Sequence, residues 1–344
     1  MLAGDFDEFG IEVGDEDLFL VVRCLGEDAA EGVGDEAATQ DLRGLFAIRI
    51  GYSLEIATGT RSILILMGIV SASKKVVPAP VWKALKTVYQ STLDLTDASS
   101  RRVDMIPPRS LQFVGGGDYK ATGWEFRRLF TEMGGLLPDH KVLDVGSGIG
   151  RMAAPLTSYL SPKGEYQGFD IVKKGVDWSQ NNITTRFPNF HFQHADVQNN
   201  DYNPNGRLRS SSFTFPYEDQ YFDFVFLTSV FTHMFPSDVE RYLAEILRVL
   251  KVGGTCFNTC FLINEESQSL IKNGKSTQPF THRLEGCYTT TVENPESAIA
   301  YDESYFLSAV QRSGLLLQPP VHFGSWCGRP KFLSYQDIVI SHKG

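Results

Sequence analysis

The sequence lacks the features that identify metalloproteins, disulfide-rich proteins and membrane-spanning proteins. Its five cysteines form no C-x-x-C pair and no Cys/His cluster at zinc-ligand spacing, so we predict core thiols in a reducing compartment. Its carboxylates are not paired at metal-ligand spacing, so we predict no bound metal. The longest apolar run, 63–70, is far short of the ~20 residues that cross a bilayer. The N-terminus is acidic where a secretory signal is basic. These absences predict a cytoplasmic protein with no membrane span.

Positive charge is also scarce. The net charge is −9, and residues 1–45 hold 13 Asp/Glu against two Arg, which leaves 30 Lys/Arg and 28 Asp/Glu in the remainder. This nearly neutral remainder lacks the basic excess of a nucleic-acid-binding protein. The Asn/Asp-Pro-Pro-aromatic tetrapeptide of enzymes that methylate an extruded base is absent as well. We therefore predict no nucleic-acid partner, and the sequence gives no indication of the oligomeric state.

Composition and hydrophobic rhythm divide the chain into three parts. Residues 1–75 are acidic and Gly-rich at their start, which predicts a poorly ordered leader. Residues 76–137 have a helical pattern, as in VWKALKTVYQSTL and WEFRRLFTEMGGL. Residues 138–344 alternate between strand and helix patterns. Within them, the polar and aperiodic stretch 264–300 is interpreted as an insertion or lid.

The alternation after residue 138 predicts an α/β fold. Five strands are predicted at 140–145, 166–172, 190–197, 221–229 and 255–263, and two closing strands lie within 315–323 and 332–340. A helix over 237–250 is predicted to begin with a capping box of Ser237 and Glu240. Helical crossovers imply parallel strands with helices on both faces, whereas the short link between the last two strands makes them antiparallel. We therefore predict a Rossmann-like, seven-stranded, mostly parallel sheet with one antiparallel strand near the edge.

A Gly-rich turn follows the first of these strands, in Leu143-Asp-Val-Gly-Ser-Gly-Ile-Gly-Arg151. Glycines at 146 and 148 allow a ligand to approach the backbone closely. The dinucleotide pattern G-x-G-x-x-G fails when it is counted from Gly146, because its third glycine would fall on Arg151. Asp144 also disfavours a pyrophosphate, since a carboxylate at the strand end suits a cationic ligand.

Two more acids end the next two strands of the predicted sheet. Asp170 lies where a carboxylate can accept from both ribose hydroxyls, and Asp196 lies where one can accept from an adenine amino group. A single strand-terminal Asp is commonly a cap or turn residue. Three acids around one Gly-rich turn instead indicate a pocket for a nucleoside without phosphates.

These motifs resemble those of class I S-adenosylmethionine-dependent methyltransferases. LDVGSGIGR is similar to the first motif of that family, GFDIV and HADV to its second and third acidic positions, and FDFVFLTSVFTHM with ILRVLKVGG to its fourth strand and the following helix. The motifs occur in family order over residues 138–342. The lead-in RVDMIPPRSLQFVGGGDYKATG and the ending GSWCGR…SYQDIVI resemble a bacterial branch of these enzymes, of the small-molecule or glycan type.

The resemblance implies S-adenosyl-L-methionine as cofactor and assigns its contacts. Asp144 is expected near its amino group, with Gly146 and Gly148 along its methionine part. Asp170 is expected at the ribose. The remaining cofactor contacts implied are Ile171, Asp196 and Val197 around the adenine, and Leu227 and Thr228 beside the sulfonium. An aligned approach of the nucleophile and exclusion of water are the main contributions that such an enzyme makes.

The acceptor is expected to be a small molecule, a sugar or a lipid-linked glycan that is methylated on oxygen. An oxygen nucleophile needs a base, and His233, just beyond the fourth strand, is the catalytic candidate; a histidine packed at a helix start is the structural alternative. Other acceptor-site candidates are the polar segment 196–216, the Glu265–Glu266 pair and the His282–Arg283 pair. A non-catalytic cofactor-binding protein, a protein-directed methyltransferase and an NAD(P) oxidoreductase remain as alternatives.

Overall fold

The computed structural model describes residues 105–113 and 117–344, the helical residues Gln90 and Asp94, and the backbone of two N-terminal strands. The chain divides into two units, 1–95 and 96–344. In the first unit, β1 (Asp7–Glu12) pairs antiparallel with β2 (Phe19–Cys24). The other residues of the predicted acidic leader, and all but one residue of the helix predicted within 81–93, lie outside the described residues.

The second unit contains a seven-stranded sheet. Its strands are β3 (Lys141–Val145), β4 (Glu165–Asp170), β5 (Phe190–His194), β6 (Phe222–Leu227), β7 (Leu250–Cys260), β12 (Leu315–His322) and β13 (Asp337–Lys343). Their order is β12-β13-β7-β6-β3-β4-β5. Strands β3 to β7 are parallel, and β13 pairs antiparallel with both β7 and β12. The predicted Rossmann-like fold class is confirmed, with its one reversed strand next to the edge.

Helices cover both faces of this sheet. They are α1 (Tyr119–Glu132), α2 (Ala153–Leu156), α3 (Lys173–Ser179), α4 (Pro236–Val249) and α6 (Glu303–Arg312). Strand β6 is buried on both faces, since Phe222 packs into the core under α4 and α6, whereas Phe224 and Phe226 pack into the core under α1 and α2. This explains the dense apolar run at 221–229, which is typical of an internal parallel strand.

Helix α4 begins one residue earlier than predicted and with a different cap. Phe235 is the N-cap residue, and its backbone N–H donates to Asp238 Oδ2 at 3.3 Å. Pro236 occupies the first helical position, where a missing N–H costs nothing. The capping box predicted from Ser237 and Glu240 is therefore wrong.

The stretch 264–300 has more structure than its sequence predicts. Helix α5 (Glu265–Lys272) is followed by β9 (His282–Leu284), β10 (Cys287–Thr289) and β11 (Ile299–Asp302). With β8 (Leu262–Ile263) these strands form a four-stranded minor sheet in the order β8-β11-β10-β9. The minor sheet is joined to the end of β6, because the Tyr301 hydroxyl lies 2.5 Å from the carbonyl oxygens of both Phe231 and Met234. Among the described helices, none is long and apolar enough to cross a membrane.

Candidate functional site

A cavity of about 790 Å³ lies at the C-terminal ends of β3, β4 and β6. This volume is within the range of small-molecule and cofactor sites. The β3 and β4 side carries the Gly-rich turn, and the β7 and β13 side carries Phe261 and residues 334–336. Residues after β6, with Ser297 and Ala298 just before β11, complete the lining. The cavity therefore has a cofactor-like side and a second side that is available to another molecule.

The Gly-rich turn takes a backbone conformation that only glycine adopts easily. Gly146, Gly148 and Gly150 have φ values of +82°, +57° and +75°. The turn is tied to β4, since the Gly146 N–H donates to the Phe169 carbonyl at 2.9 Å. A Cβ on Gly146 would lie 2.3 Å from Cγ2 of Val230, so no side chain fits there without movement. The turn and the segment after β6 are thus in direct contact.

Asp170 holds the same turn from the end of β4. Its two carboxylate oxygens accept from the Gly148 N–H and the Val172 N–H, both at 2.7 Å. Burial raises the pKa of Asp170 to about 6, although these backbone hydrogen bonds lower it. Asp170 lines the cavity, as the sequence predicts.

Asp144 is fully buried and lines the cavity. Its Oδ2 accepts from the Tyr166 hydroxyl at 2.5 Å, whereas its Oδ1 has no hydrogen-bond partner within the described residues. Burial raises the pKa of Asp144 to about 8, the Tyr166 hydrogen bond lowers it, and the nearby Asp170 raises it further. A buried acceptor without a donor fits a ligand that carries an ammonium group. The glycine cradle and Asp144 together therefore fit S-adenosylmethionine.

The other predicted cofactor contacts divide into two groups. Ile171, Val197 and Thr228 line the cavity. Leu227 is fully buried in the core under α4, and Asp196 is not among the lining residues. The Asp196 carboxylate accepts from Arg207 Nε at 2.6 Å and from Asn203 Nδ2 at 3.1 Å, and the bond from Arg207 lowers its pKa. The structure thus brings most of the predicted contacts together and directs Asp196 towards the loop after β5.

His233 lies in a 3-10 turn at Phe231–His233 and lines the same cavity. Its Nδ1 is 2.7 Å from the Glu296 carbonyl oxygen, which can only accept, so Nδ1 carries the hydrogen. In the neutral ring, Nε2 is then the basic nitrogen. Burial lowers the pKa of His233, which keeps the ring neutral at pH 7. The edge-to-face ring of Tyr202, 5.1 Å away between centroids, fixes its plane.

Only some of the remaining acceptor-site candidates line the cavity. Asn199 and Tyr202, from the polar segment after β5, line the cavity. Glu266 is paired with Arg329, whose Nε lies 2.7 Å from Glu266 Oε2. The pair His282–Arg283 lies in β9 and is not among the lining residues. Among the described residues, no group of three or more His, Cys, Asp or Glu could hold a metal ion.

Several lining residues were not singled out from the sequence. They include Glu125, Arg151 at the end of the Gly-rich motif, and a neutral polar set from the segments after β6: Ser229, Gln278, Ser297, Ser334, Tyr335 and Gln336. The position of Arg151 within the motif was a usable signal. The neutral set comes from four separate chain segments, and only the long-range pairing of β13 with β7 brings 334–336 to the cavity. No local pattern could have found it.

Comparison with known proteins gives matches to methyltransferases. Residues 143–258 match a family model described as a methyltransferase domain. The phthiotriol/phenolphthiotriol dimycocerosates methyltransferase 1 of Mycobacterium ulcerans is 31% identical over 118 residues, which is 34% of this chain and 36% of that protein. The chain therefore spans about a third of the length of this curated relative.

Solved structures with a similar fold are more distant in sequence. The PH0226 protein of Pyrococcus horikoshii is 15% identical, with 68% of this chain and 95% of that chain covered and a TM-score of 0.47. A SAM-dependent methyltransferase from Methanosarcina mazei is 19% identical, with 60% and 94% covered and a TM-score of 0.41. A TehB-like SAM-dependent methyltransferase from Corynebacterium glutamicum is 16% identical, with 75% and 98% covered and a TM-score of 0.42.

Proposed function

We propose that this chain, which carries a class I S-adenosylmethionine-dependent methyltransferase domain, transfers a methyl group to a hydroxyl oxygen of a small molecule, a sugar or a lipid-linked glycan. The cofactor of the domain is S-adenosylmethionine, which when bound supplies an electrophilic methyl group on a sulfonium. The observation that carries the proposal is that the neutral imidazole of His233 lines the same cavity as the Asp144 and Gly-rich cradle.

The cradle residues would hold the cofactor as follows. Asp144 would accept from its ammonium group, and the turn at Gly146 and Gly148 would pass along its methionine part. Asp170 would accept from the ribose, and Ile171 and Val197 would pack on the adenine. Thr228 would lie beside the sulfonium. The contacts of Asp196 and Leu227 stay predictions, because neither side chain lines the cavity.

His233 would act as the general base. Its Nε2 would take the proton from the acceptor hydroxyl, and the Nδ1–H bond to the Glu296 carbonyl would keep the ring in the required tautomer. The surrounding walls would align the acceptor hydroxyl with the methyl group and exclude water. Because a sulfonium is already a good leaving group, alignment matters more here than strong activation of the nucleophile.

Two observations support an acceptor with an apolar part. Phe332 and Leu333 are exposed and directly precede the lining residues Ser334 to Gln336, so they lie next to the second wall of the cavity. The relative from Mycobacterium ulcerans is named for phthiotriol and phenolphthiotriol dimycocerosates, which supports a small-molecule or lipid acceptor over a protein. We further propose the cytoplasm as location, and the four buried free thiols support it.

Calorimetric titration tests the cofactor assignment. We expect S-adenosylmethionine and S-adenosylhomocysteine to bind and NADH not to bind. Asp170→Ala should weaken binding by at least about tenfold, because it removes the carboxylate that fixes Gly148. Asp177→Ala is the control, since Asp177 is a half-exposed carboxylate of α3 that pairs with Lys173. Wild-type binding of NADH, or no binding of either adenosyl compound, would overturn the proposal.

A transfer assay tests the chemistry. Tritium-labelled S-adenosylmethionine is incubated with panels of sugars, phenols and alkyl glycosides, and both extracted label and S-adenosylhomocysteine are measured. We expect formation of a base-stable methyl ether with one class of hydroxyl acceptor. Cofactor binding without transfer to any panel or cell extract would identify a non-catalytic binding protein instead.

A further inference from the structure

We propose that Ser229 determines acceptor specificity: its hydroxyl, oriented by Thr259 and Gln336, donates a hydrogen bond to an oxygen of the acceptor in a site that takes uncharged, hydroxyl-bearing molecules. This inference rests on the proposed methyl transfer and names the class of its acceptor. It is carried by a closed set of hydrogen bonds at the end of β6 and by the composition of the wall around it.

Three side chains and one backbone amide form the set. The Ser229 backbone N–H donates to Thr259 Oγ1 at 2.9 Å. The Thr259 hydroxyl donates to Gln336 Oε1 at 2.5 Å, and Gln336 Nε2 donates to Ser229 Oγ at 2.8 Å. These three hydrogen bonds form a closed ring that starts and ends on Ser229. Its other members are Thr259 in β7 and Gln336 just before β13.

Burial decides the direction of these bonds. Thr259 is fully buried, so its hydroxyl hydrogen needs an acceptor. If the Gln336 amide were turned over, Thr259 Oγ1 would face two donors and its own hydrogen would be buried without a partner, which is unfavourable. The amide oxygen therefore faces Thr259, and the amide nitrogen faces Ser229.

Ser229 is left with one unused donor. Its Oγ accepts from Gln336, and within the described residues no protein acceptor takes the Ser229 hydroxyl hydrogen. Ser229 lines the cavity, so the hydrogen is available to a ligand oxygen.

The backbone at Ser229 is held in an unfavourable conformation. Its φ of +60° lies in the left-handed region, which non-glycine residues rarely adopt. The bond from its N–H to Thr259 and the bond from the Thr232 hydroxyl to its carbonyl, at 3.0 Å, keep it there. Strain of this kind persists where the surroundings enforce it, typically at binding sites.

The charged residues that line the cavity, Glu125, Asp144, Arg151 and Asp170, all precede β6 in the chain, and the lining segments that follow β6 carry no full charge. Of the residues from Thr228 to Gln336 that line the cavity, none is Asp, Glu, Lys or Arg. The polar groups are hydroxyls and amides, such as those of Gln278, Ser297 and Tyr335, together with the neutral His233. A charged acceptor group would lose its hydration there without gaining a partner. A neutral acceptor with several oxygens would satisfy these donors and acceptors.

The test measures binding of three matched probes to the protein saturated with S-adenosylhomocysteine. The probes are methyl β-D-glucopyranoside, methyl β-D-glucuronide and methyl β-D-glucosaminide, which are neutral, anionic and cationic. We expect the neutral glycoside to bind at least about tenfold more tightly than either charged one. Ser229→Ala should weaken its binding about five- to tenfold, as expected for one lost hydrogen bond. Ser269→Ala, which removes an exposed hydroxyl of α5 outside the cavity lining, should change it less than about twofold.

Gln336→Glu provides a test that loss of folding cannot imitate. The new carboxylate would accept the Ser229 hydrogen and place a negative charge in the wall. Binding of the neutral glycoside should fall and binding of the glucosaminide should rise, so that the preference reverses.

The outcomes separate this inference from the proposed function. Failure of S-adenosylhomocysteine to bind would refute the proposed function itself. If it binds normally, three results would each overturn the role of Ser229. They are equal binding of charged and neutral probes, wild-type affinity in Ser229→Ala, and no binding of the neutral probe up to about 100 mM, where even a very weak complex is detected.

Discussion

At the scale of a single residue, we expect Asp144 to make cofactor binding depend on pH. Burial raises its pKa to about 8, so at pH 7 the carboxyl group holds a proton for most of the time when no ligand is bound. An ammonium group beside Oδ1 favours the carboxylate, so binding releases that proton and strengthens as the pH rises from 6 to 8, by up to about tenfold per unit. Calorimetry of S-adenosylhomocysteine binding in two buffers of different ionisation enthalpy measures this release. In Asp144→Asn the release should vanish and binding should weaken; unchanged proton release would assign it to another group.

His233 is the residue whose loss should separate chemistry from cofactor binding. Asn at this position can still donate to the Glu296 carbonyl but has no basic nitrogen. We expect His233→Asn to lower the transfer rate about 10²- to 10⁴-fold with little change in cofactor affinity. Because burial lowers the pKa of His233, the wild-type rate at saturating cofactor should be constant around pH 7 and fall only on the acid side. Transfer assays over pH 5–8 check both points, and a rate within threefold of wild type would remove His233 from the mechanism.

The positions of single residues could be predicted from the sequence at the ends of regular strands, but not in loops that turn back on themselves. Asp144 and Asp170 end adjacent parallel strands, so their meeting at one sheet edge follows from the strand pattern. Asp196 lies two residues beyond the end of the next strand, β5, and the loop that follows turns back and supplies Asn203 and Arg207 as partners. A return of this kind depends on turns that local composition does not specify.

The Gly-rich turn and the segment after β6 contact each other as elements, and this contact can be tested. Gly146→Ala would place a methyl group 2.3 Å from Val230 Cγ2. We expect destabilisation of about 1–3 kcal/mol from the contact, in addition to about 1 kcal/mol from the positive φ. Gly253→Ala is the matched control, because Gly253 has φ +77° and open space around it.

Denaturant unfolding of the two variants measures how much of the lost free energy of unfolding comes from the contact with Val230. The double variant Gly146→Ala/Val230→Ala removes the clash but keeps the cost of the positive φ. Its loss in free energy of unfolding, after the loss caused by Val230→Ala alone is subtracted, should therefore approach that of Gly253→Ala. If Gly146→Ala and Gly253→Ala are equally stable, the turn and the β6 segment are not in the contact described.

Asp337, the first residue of β13, joins the link that precedes it to β8. Its Oδ1 accepts from the Gly324 N–H at 2.6 Å and from Arg329 Nη1 at 3.2 Å, and its Oδ2 from the Leu262 N–H at 2.7 Å and from Trp326 Nε1 at 2.8 Å. Asp337→Asn would turn an amide nitrogen towards two of these donors and remove the charge opposite a buried arginine. We expect a loss of about 3–5 kcal/mol in the free energy of unfolding.

An exposed carboxylate gives the comparison for that loss. The Asp219 side chain is 70% exposed and forms an ion pair with Arg248. Asp219→Asn removes this pair and should lower the free energy of unfolding by about 1 kcal/mol or less. Thermal and urea unfolding measure both variants. Similar small losses in the two would mean that the four bonds to Asp337 do not hold the link.

The minor sheet shows why elements of two to four residues escape sequence analysis. Strands β8 to β11 are too short for an alternating pattern to be recognised, and β8 and β11 pair across more than 30 residues. Helix α5, in contrast, has a cap at Asn264 and acids in its first turn that the sequence could have indicated. The sequence of 264–300 therefore contains signals that predict helix α5, but none that predict the minor sheet.

At the scale of the whole molecule, the topology was predictable because it follows from chain connectivity. Alternating strands and helices require right-handed crossovers, and a short final link requires an antiparallel neighbour, which together fix the class of sheet. The second wall of the cavity was not predictable in this way. Ser229 and Gln336 are hydrogen-bonded although they are 107 positions apart, and only the completed sheet brings them together.

The division of the cavity into two walls predicts how ligand binding is distributed over the molecule. Hydrogen–deuterium exchange at short labelling times should show that S-adenosylhomocysteine protects the backbone amides of 144–150 and 170–172. The amides of 334–336 should change little until an acceptor is added, because they belong to the opposite wall. Asp170→Ala should lose the protection of 144–150, since the Gly148 N–H then has no carboxylate to bind. Protection that appears first at 334–336 would reverse the assignment of the two walls and with it the roles of Asp144 and Ser229.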